Sequence, residues 1–219
     1  MKNNHWELEI YKKKNQLNKF PFLGIVSFFK NKRFKKKSKI KVLEIGCGAG
    51  NNLLFLAKEG FNVSGTDVSP SAINFAKKAF VKNKLKCCFK VSDSKNLNWP
   101  NDYFDFVIDR ACLTHNTNQH ISTILNQAHR VLKKNGKILC YDFFGKKSSD
   151  INYGKKLISN TYYKFKRGRF KNLGLVSFFD YKILKDLFYK FKIVNIENLI
   201  MRNKQKNIVF ESFNLIAKK

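Results

Sequence analysis

The sequence predicts an α/β protein built on a doubly wound parallel sheet with helices on both faces. Three observations carry this. Between residues 40 and 143, short apolar runs alternate with amphipathic helical stretches. The first of those runs ends in a glycine-rich turn, Gly46-Cys47-Gly48-Ala49-Gly50. Near the end of the chain, runs at 191–200 and 207–217 are separated by about six residues, too few for a crossover helix, so they should pair as an antiparallel hairpin.

Each element has a local cause. Residues 5–19 read as a polar helix carrying Trp6, Leu8, Ile10, Tyr11 and Leu17. Residues 20–29 are the longest apolar run and contain Pro21 and Gly24. They are too short to span a bilayer. A basic stretch at 30–41 leads into the first strand, 40–45. A helix from 51 to 58 stops at Gly60, and 61–66 is the second strand. Ser69-Pro70 supplies an N-cap with proline at the first helical position, and Ile73, Ala76 and Phe80 mark one helix face. Strands follow at 85–91 and 104–109. Residues 118–134 form a helix with Ile121, Ile124, Leu125, Ala128, Val131 and Leu132 inward, closed by Asn135-Gly136. The fifth strand is 137–143. The rhythm breaks over 144–179, and a helix at 180–189 restores it.

The 219 residues suit one domain. With 43% hydrophobic and 15% aromatic residues the chain buries a core and is not disordered. Three Pro and 11 Gly exclude a fibrous protein. Lys plus Arg is 44 against 15 Asp plus Glu, a net +29. Only six of the basic residues are Arg, and Asn, Ile and Phe are abundant, the pattern of A/T-rich codons. Arg, the residue best suited to bidentate phosphate contacts, is scarce. The charge is therefore read chiefly as compositional drift, with an anionic partner as the second reading. Five cysteines at 47, 87, 88, 112 and 140 make no CxxC pair or Cys/His cluster. That predicts free thiols, no metal and a cytoplasmic chain, and the first residues carry no apolar signal core.

The chemistry concentrates at the carboxyl ends of the first strands. A dinucleotide fingerprint needs glycines at relative positions one, three and six. Here they fall at one, three and five, and Glu44 stands two residues before Gly46. A carboxylate there repels a pyrophosphate and suits an ammonium group. Asp67 ends the second strand, placed to accept hydrogen bonds from both ribose hydroxyls. Asp93 follows the third and is placed for an adenine amino group. An amino acid moiety, a ribose and an adenine joined without phosphate make S-adenosylmethionine.

Those residues resemble the class I S-adenosylmethionine-dependent methyltransferases of the group that modifies small molecules. The matching pieces are VLEIGCGAG, Asp67 in SGTDVSP, Asp93 in VSDSKNLNWP, YFDFVIDRACLTH and HRVLKKNGKIL, in family order over about 40–143. The resemblance implies a Rossmann-like seven-stranded sheet of order 3-2-1-4-5-7-6 with strand 7 antiparallel. It implies one methyltransferase domain over 1–219: an N-terminal lid and basic segment (1–39), a cofactor core (40–143), an acceptor insertion (144–179), and a final helix and hairpin (180–219). It also implies cofactor contacts from Glu44, Gly46, Cys47, Gly48, Gly50, Asp67, Val68, Asp93, Ser94 and Asp109, with Trp6 and Tyr11 on the lid and Leu97 and Trp99 near the adenine.

On the acceptor side, His115 and Asp142 are the candidate catalytic residues. His115 is the candidate general base for an acceptor hydroxyl, and Asp142 ends strand five. The insertion gathers Tyr153, Tyr162, Arg167 and Arg169, a mixture of flat rings and anion donors suited to an acidic group on the acceptor. The amino-methylating DNA motif is absent, since Pro occurs only at 21, 70 and 100. The expected partner is a small-molecule acceptor, taking the methyl on oxygen or nitrogen. A specific nucleic acid is not expected. RNA methylation and a non-catalytic cofactor-binding scaffold are the competing readings.

Overall fold

Strand β1 (Lys41–Ile45) runs through the middle of the sheet, and its residues from Val42 onward are buried. Val42 faces one core and Leu43 the other, as a strand covered on both sides requires. It pairs in parallel with β2 (Asn62–Asp67) and with β4 (Phe104–Arg110). β3 (Cys88–Val91) extends the β2 edge, and β5 (Leu132–Phe144) extends the β4 edge. The structure is a computed structural model and describes residues 5–14 and 17–219.

The last two strands of the large sheet are β9 (Lys192–Arg202) and β10 (Ile208–Lys218). β10 inserts antiparallel between β5 and β9, giving the order β3-β2-β1-β4-β5-β10-β9. This is the expected seven-stranded topology, with the hairpin closing one edge.

One face is covered by α1 (Leu23–Lys30), α2 (Asn51–Lys58) and α3 (Pro70–Lys82), which bury Ile25, Phe29, Leu53, Leu56, Ile73 and Phe80. The other is covered by α4 (Asn118–Val131) and α5 (Tyr181–Leu187). Ser69 caps α3 by accepting the Ala72 N–H at 3.0 Å, with Pro70 at the first turn. Asp180 caps α5 through the Ile183 N–H at 2.9 Å. Fully buried rings, among them Phe104, Phe143 and Phe179, contribute about 1.5–3 kcal/mol each.

Three expectations change. The N-terminal helix shrinks to a π-helical turn, Trp6–Tyr11, followed by a turn at 12–14; residues 1–4, 15 and 16 lie outside the description. Most of the apolar run at 20–29 enters α1, because Ile25 and Phe29 pack under the sheet, while Phe20 and Leu23 stay exposed. α4 ends at Val131, three residues early, because Leu132 pairs with Phe104 and begins β5. Asn135, with φ +68, then sits in the irregular start of that strand.

The segment after β5 builds its own layer. A 3-10 turn, Ser149–Tyr153, leads into β6 (Lys155–Ile158), β7 (Thr161–Tyr163) and β8 (Val176–Ser177), a small antiparallel sheet. Phe165, Phe170, Val176 and Phe178 form its core. Among the described residues no helix is long and apolar enough to cross a membrane.

Candidate functional site

The carboxyl ends of β1, β2 and β4 meet at the glycine turn. Gly46, Gly48 and Gly50 all have left-handed φ (+61, +53 and +77), which a side chain adopts only at a cost. Gly48 is doubly constrained, because a Cβ there would collide with the Tyr11 hydroxyl. Asp67 stitches the turn to α3: its carboxylate accepts the Gly48 N–H and the Ser69 N–H, each at 2.9 Å. Burial raises its pKa, and those two donors pull the other way.

Two further carboxyls lie beneath the turn. Glu44 Oε1 accepts from Asn52 Nδ2 at 2.6 Å, and Oε2 is buried with no hydrogen-bond partner. Asp109 Oδ1 accepts the Cys112 and Leu113 N–H groups at 3.1 and 3.0 Å, and Oδ2 is likewise unpaired. Burial pushes Glu44 up to about 8 and Asp109 to about 7. Two acid oxygens without donors in a buried setting call for a cationic or hydrogen-bonding ligand. Asn52 also accepts the Phe22 N–H at 2.8 Å, tying the start of α1 to Glu44. Sequence reading passed over Asn52; the signal was a polar residue beside Leu53 and Leu56, which α2 buries.

The N-terminal turn closes over this arrangement. Tyr11 is buried against Gly48, which raises its phenol pKa well above the ordinary value. Trp6 meets the His115 ring edge-on at 4.7 Å. Glu7 holds the turn down through the Ser69 hydroxyl and through Ser71, whose N–H and Oγ lie 3.1 and 2.7 Å away. Partial burial works against ionisation of Glu7, and these donors more than offset it, lowering its pKa. Sequence reading did not single out Glu7.

His115 is buried in a 3-10 turn, Leu113–His115, after β4. Its Nδ1 lies 2.7 Å from the Leu175 carbonyl. A carbonyl only accepts, so Nδ1 carries the proton and Nε2 keeps its lone pair. Burial lowers its pKa to about 4, so the ring is neutral near pH 7. Phe144 packs edge-on at 6.1 Å, and Ser177 Oγ bonds the Asn116 carbonyl at 2.7 Å, so β8 borders this side.

Asp142, with φ +61, ion-pairs with Arg110 at 3.1 Å, and burial raises its pKa. Ala111 beside it has φ +59, so both strand ends carry backbone strain of about 1 kcal/mol or more. Asp93 is exposed, accepts the Lys95 N–H at 2.9 Å and pairs with the Lys95 ammonium. Ser94 is buried and Val68 half-buried beside Asp67. Cys47 is a buried thiol beneath Gly65. Trp99 stacks on Tyr103 and meets Phe104 at the amino end of β4, and Leu97 joins the α4 core. Arg130 donates to both of their backbone carbonyls, at 2.7 and 2.6 Å. Arg167 lies over Tyr153 at 4.4 Å and Arg169 over Phe210 at 4.3 Å, while Tyr162 packs on Phe178 in the small sheet. No metal-binding cluster occurs among the described residues.

A family model described as "Methyltransferase domain" matches residues 42–136. Residues 42–136 thus match a methyltransferase domain, carried on the sheet order expected of the class I S-adenosylmethionine-dependent methyltransferases. It is 34% identical over 114 residues to the ubiquinone biosynthesis O-methyltransferase of Pelagibacter ubique, covering 52% of this chain and 46% of that protein. It is 31% identical over 105 residues to phosphoethanolamine N-methyltransferase 3 of Arabidopsis thaliana, covering 47% and 21%. The chain thus spans less than half the length of these relatives. A S-adenosylmethionine-dependent methyltransferase structure from Methanosarcina mazei superposes with TM-score 0.73 at 23% identity, covering 91% of this chain and 99% of that one, and shares the fold. The methyltransferase residues fit that family's cofactor. The unpaired oxygens of Glu44 and Asp109 suit an ammonium-bearing ligand, and the left-handed φ of Gly48 disfavours any side chain in the turn.

Proposed function

We propose that this methyltransferase domain binds S-adenosylmethionine across Gly46–Gly50 and transfers its methyl group to an oxygen or nitrogen of a small-molecule acceptor. The observation that supports this best is the pairing of Asp67 with the Gly48 N–H, together with the unpaired Glu44 and Asp109 oxygens at the ends of β1 and β4. When bound, the cofactor supplies a methyl group on a sulfonium, an already activated leaving group. The chain then has chiefly to position and shield. In this reading Glu44 and Asp109 hold the ammonium end, Asp67 the ribose, and Asp93 and Ser94 the adenine edge. Cys47 and Val68 line the turn. Tyr11 and Trp6 cover the ligand.

The acceptor would lie between His115, Trp6 and the small sheet. His115 Nε2, neutral and unprotonated, is placed to take a proton from an acceptor hydroxyl. Asp142, held by Arg110, is proposed to act only through the shape of the β5 end. Tyr153, Tyr162, Arg167 and Arg169 form the outer wall, where the two guanidinium groups would meet an anionic group on the acceptor. The two relatives, an O-methyltransferase and an N-methyltransferase, are consistent with either methylated atom. Calorimetry with S-adenosylmethionine and NAD, followed by a radiolabelled methyl-transfer screen of metabolite extract against total RNA, tests the reading. Binding of NAD alone, or label entering RNA alone, overturns it.

A further inference from the structure

The end of the sheet opposite the glycine turn carries a feature that methyl transfer does not use. Lys137 on β5 pairs directly with Lys218 on β10, and Lys218 pairs directly with Lys192 on β9. Directly paired residues share a sheet face, and adjacent strands are about 4.8 Å apart, so three ammonium stems stand in a row roughly 10 Å long. Like charges directly opposite each other destabilise a sheet. None of the three forms an ion pair among the described residues. The acids bordering this end are engaged elsewhere: Asp105 with Lys133 and the Lys41 N–H, each at 2.8 Å, and Asp102 with Lys219.

The row continues into a concave recess. On the other side Lys137 pairs with Phe106 of β4, so that ring lies on the same face. Phe106, Phe34 and Ile40 line a recess of about 370 Å³ together with Lys134, Lys137 and the Lys133–Asp105 ion pair. That volume accommodates a small flat ligand. Lys32, over the Phe28 ring at 4.3 Å, has its pKa lowered by burial and then by the Lys137 ammonium. The repulsion around Lys137 is thus felt on two sides.

We propose that this basal face binds single-stranded nucleic acid without sequence preference, its phosphates along Lys137, Lys218 and Lys192 and a base in the recess against Phe34 and Phe106. Uncompensated lysines beside aromatic surface are the combination that tracks a single strand. The recess is concave, which suits a strand and not a flat bilayer. Lysines alone give point charges and no base-edge readout, hence the lack of sequence preference. The face lies at the amino ends of the parallel strands, so this binding is separate from the methyl-transfer site and does not depend on it.

The test is fluorescence anisotropy of a labelled oligouridylate with the full chain and with the triple variant Lys137→Gln, Lys192→Gln, Lys218→Gln. The expected result is at least tenfold weaker binding by the variant at low salt. Its log K against log salt slope should be shallower by about 2, three charges at roughly 0.7 each. Relieving the repulsion should also raise the Tm of the ligand-free variant, and S-adenosylmethionine affinity should stay unchanged. Equal oligonucleotide affinity in both proteins overturns the proposal. So does wild-type binding to anionic vesicles, lost in the variant, without binding to the oligonucleotide.

Discussion

Glu7 reaches across 64 positions to Ser71, accepting its backbone N–H at 3.1 Å and its hydroxyl at 2.7 Å. The N-terminal turn is therefore fastened to the first turn of α3, the helix that follows Asp67. A carboxylate at a helix N-terminus is favoured by the unpaired N–H groups there. Removing it should free Trp6 and Tyr11 from the site. Glu7→Ala is expected to cost about 1 kcal/mol in cofactor affinity through the loosened cover. In a Trp99→Phe background, Trp6 fluorescence should shift toward that of a solvated indole. An unchanged spectrum with normal affinity would show that the turn is held by its apolar contacts alone.

Gly48→Ala should abolish cofactor binding for two separable reasons. The left-handed φ of +53 costs an alanine about 1–2 kcal/mol, and the new methyl meets the Tyr11 hydroxyl. Adding Tyr11→Phe removes the hydroxyl and leaves the backbone strain. The double variant is expected to regain part of the stability lost, read as Tm, without recovering wild-type affinity. Full recovery would mean that the backbone conformation is free to change.

The buried carboxyls predict the pH dependence of stability. Folding raises Glu44 from 4.5 to about 8 and Asp109 from 3.8 to about 7. A raised acid holds its proton longer in the folded state, so its contribution is fully present below the unfolded pKa and is lost as pH rises toward 8. His115 works the other way, since its pKa falls to about 4 and stability rises with pH between about 4 and 6.5. Two acids outweigh one imidazole, so ligand-free Tm should fall from pH 5 to 8. Glu44→Gln should flatten that decline, and a Tm profile unchanged by the substitution would argue that Glu44 is ionised throughout.

What was legible divides along the same line as the chemistry. Backbone-determined features could be read because glycine, proline and cap residues have few alternatives. The turn at Gly46–Gly50, the Ser69-Pro70 start of α3 and the hairpin order all stand where spacing put them. Features made by side chains from distant segments could not. Glu7 meets Ser71 and His115 meets Leu175 only after the sheet has formed. α1 was hidden because an apolar run of that length has no period that separates a buried helix from a loop. The two arginines of the insertion marked aromatic partners, Tyr153 and Phe210, that no spacing rule foretells.

Those arginines give a prediction that separates acceptor from cofactor. Arg167 and Arg169 are exposed, and their removal leaves the small aromatic core of Phe165, Phe170 and Phe178 in place. The double alanine variant should keep its affinity for S-adenosylmethionine within about twofold, a few tenths of a kcal/mol, while kcat/KM for an anionic acceptor falls. A matching loss of cofactor affinity would place the pair outside the acceptor wall.

His115 poses the sharpest choice, between proton acceptor and packing residue. Its Nδ1 is committed to Leu175, which fixes the tautomer and leaves Nε2 as the only atom able to take a proton. The low pKa of about 4 means that this atom is available at every pH above about 5, but is a weak base. His115→Asn keeps a donor near the Nδ1 position and removes Nε2. If the residue takes the acceptor's proton, kcat should fall by roughly 10²–10⁴ while cofactor affinity and Tm change little. The wild-type pH–rate profile should then show no His115 limb between pH 5.5 and 8, because the ring is already neutral across that range. If the ring only packs between Trp6 and Phe144, His115→Asn should instead lower Tm and cofactor affinity together and leave kcat at saturating substrate nearly intact. The division between kcat and Tm decides which role the histidine plays.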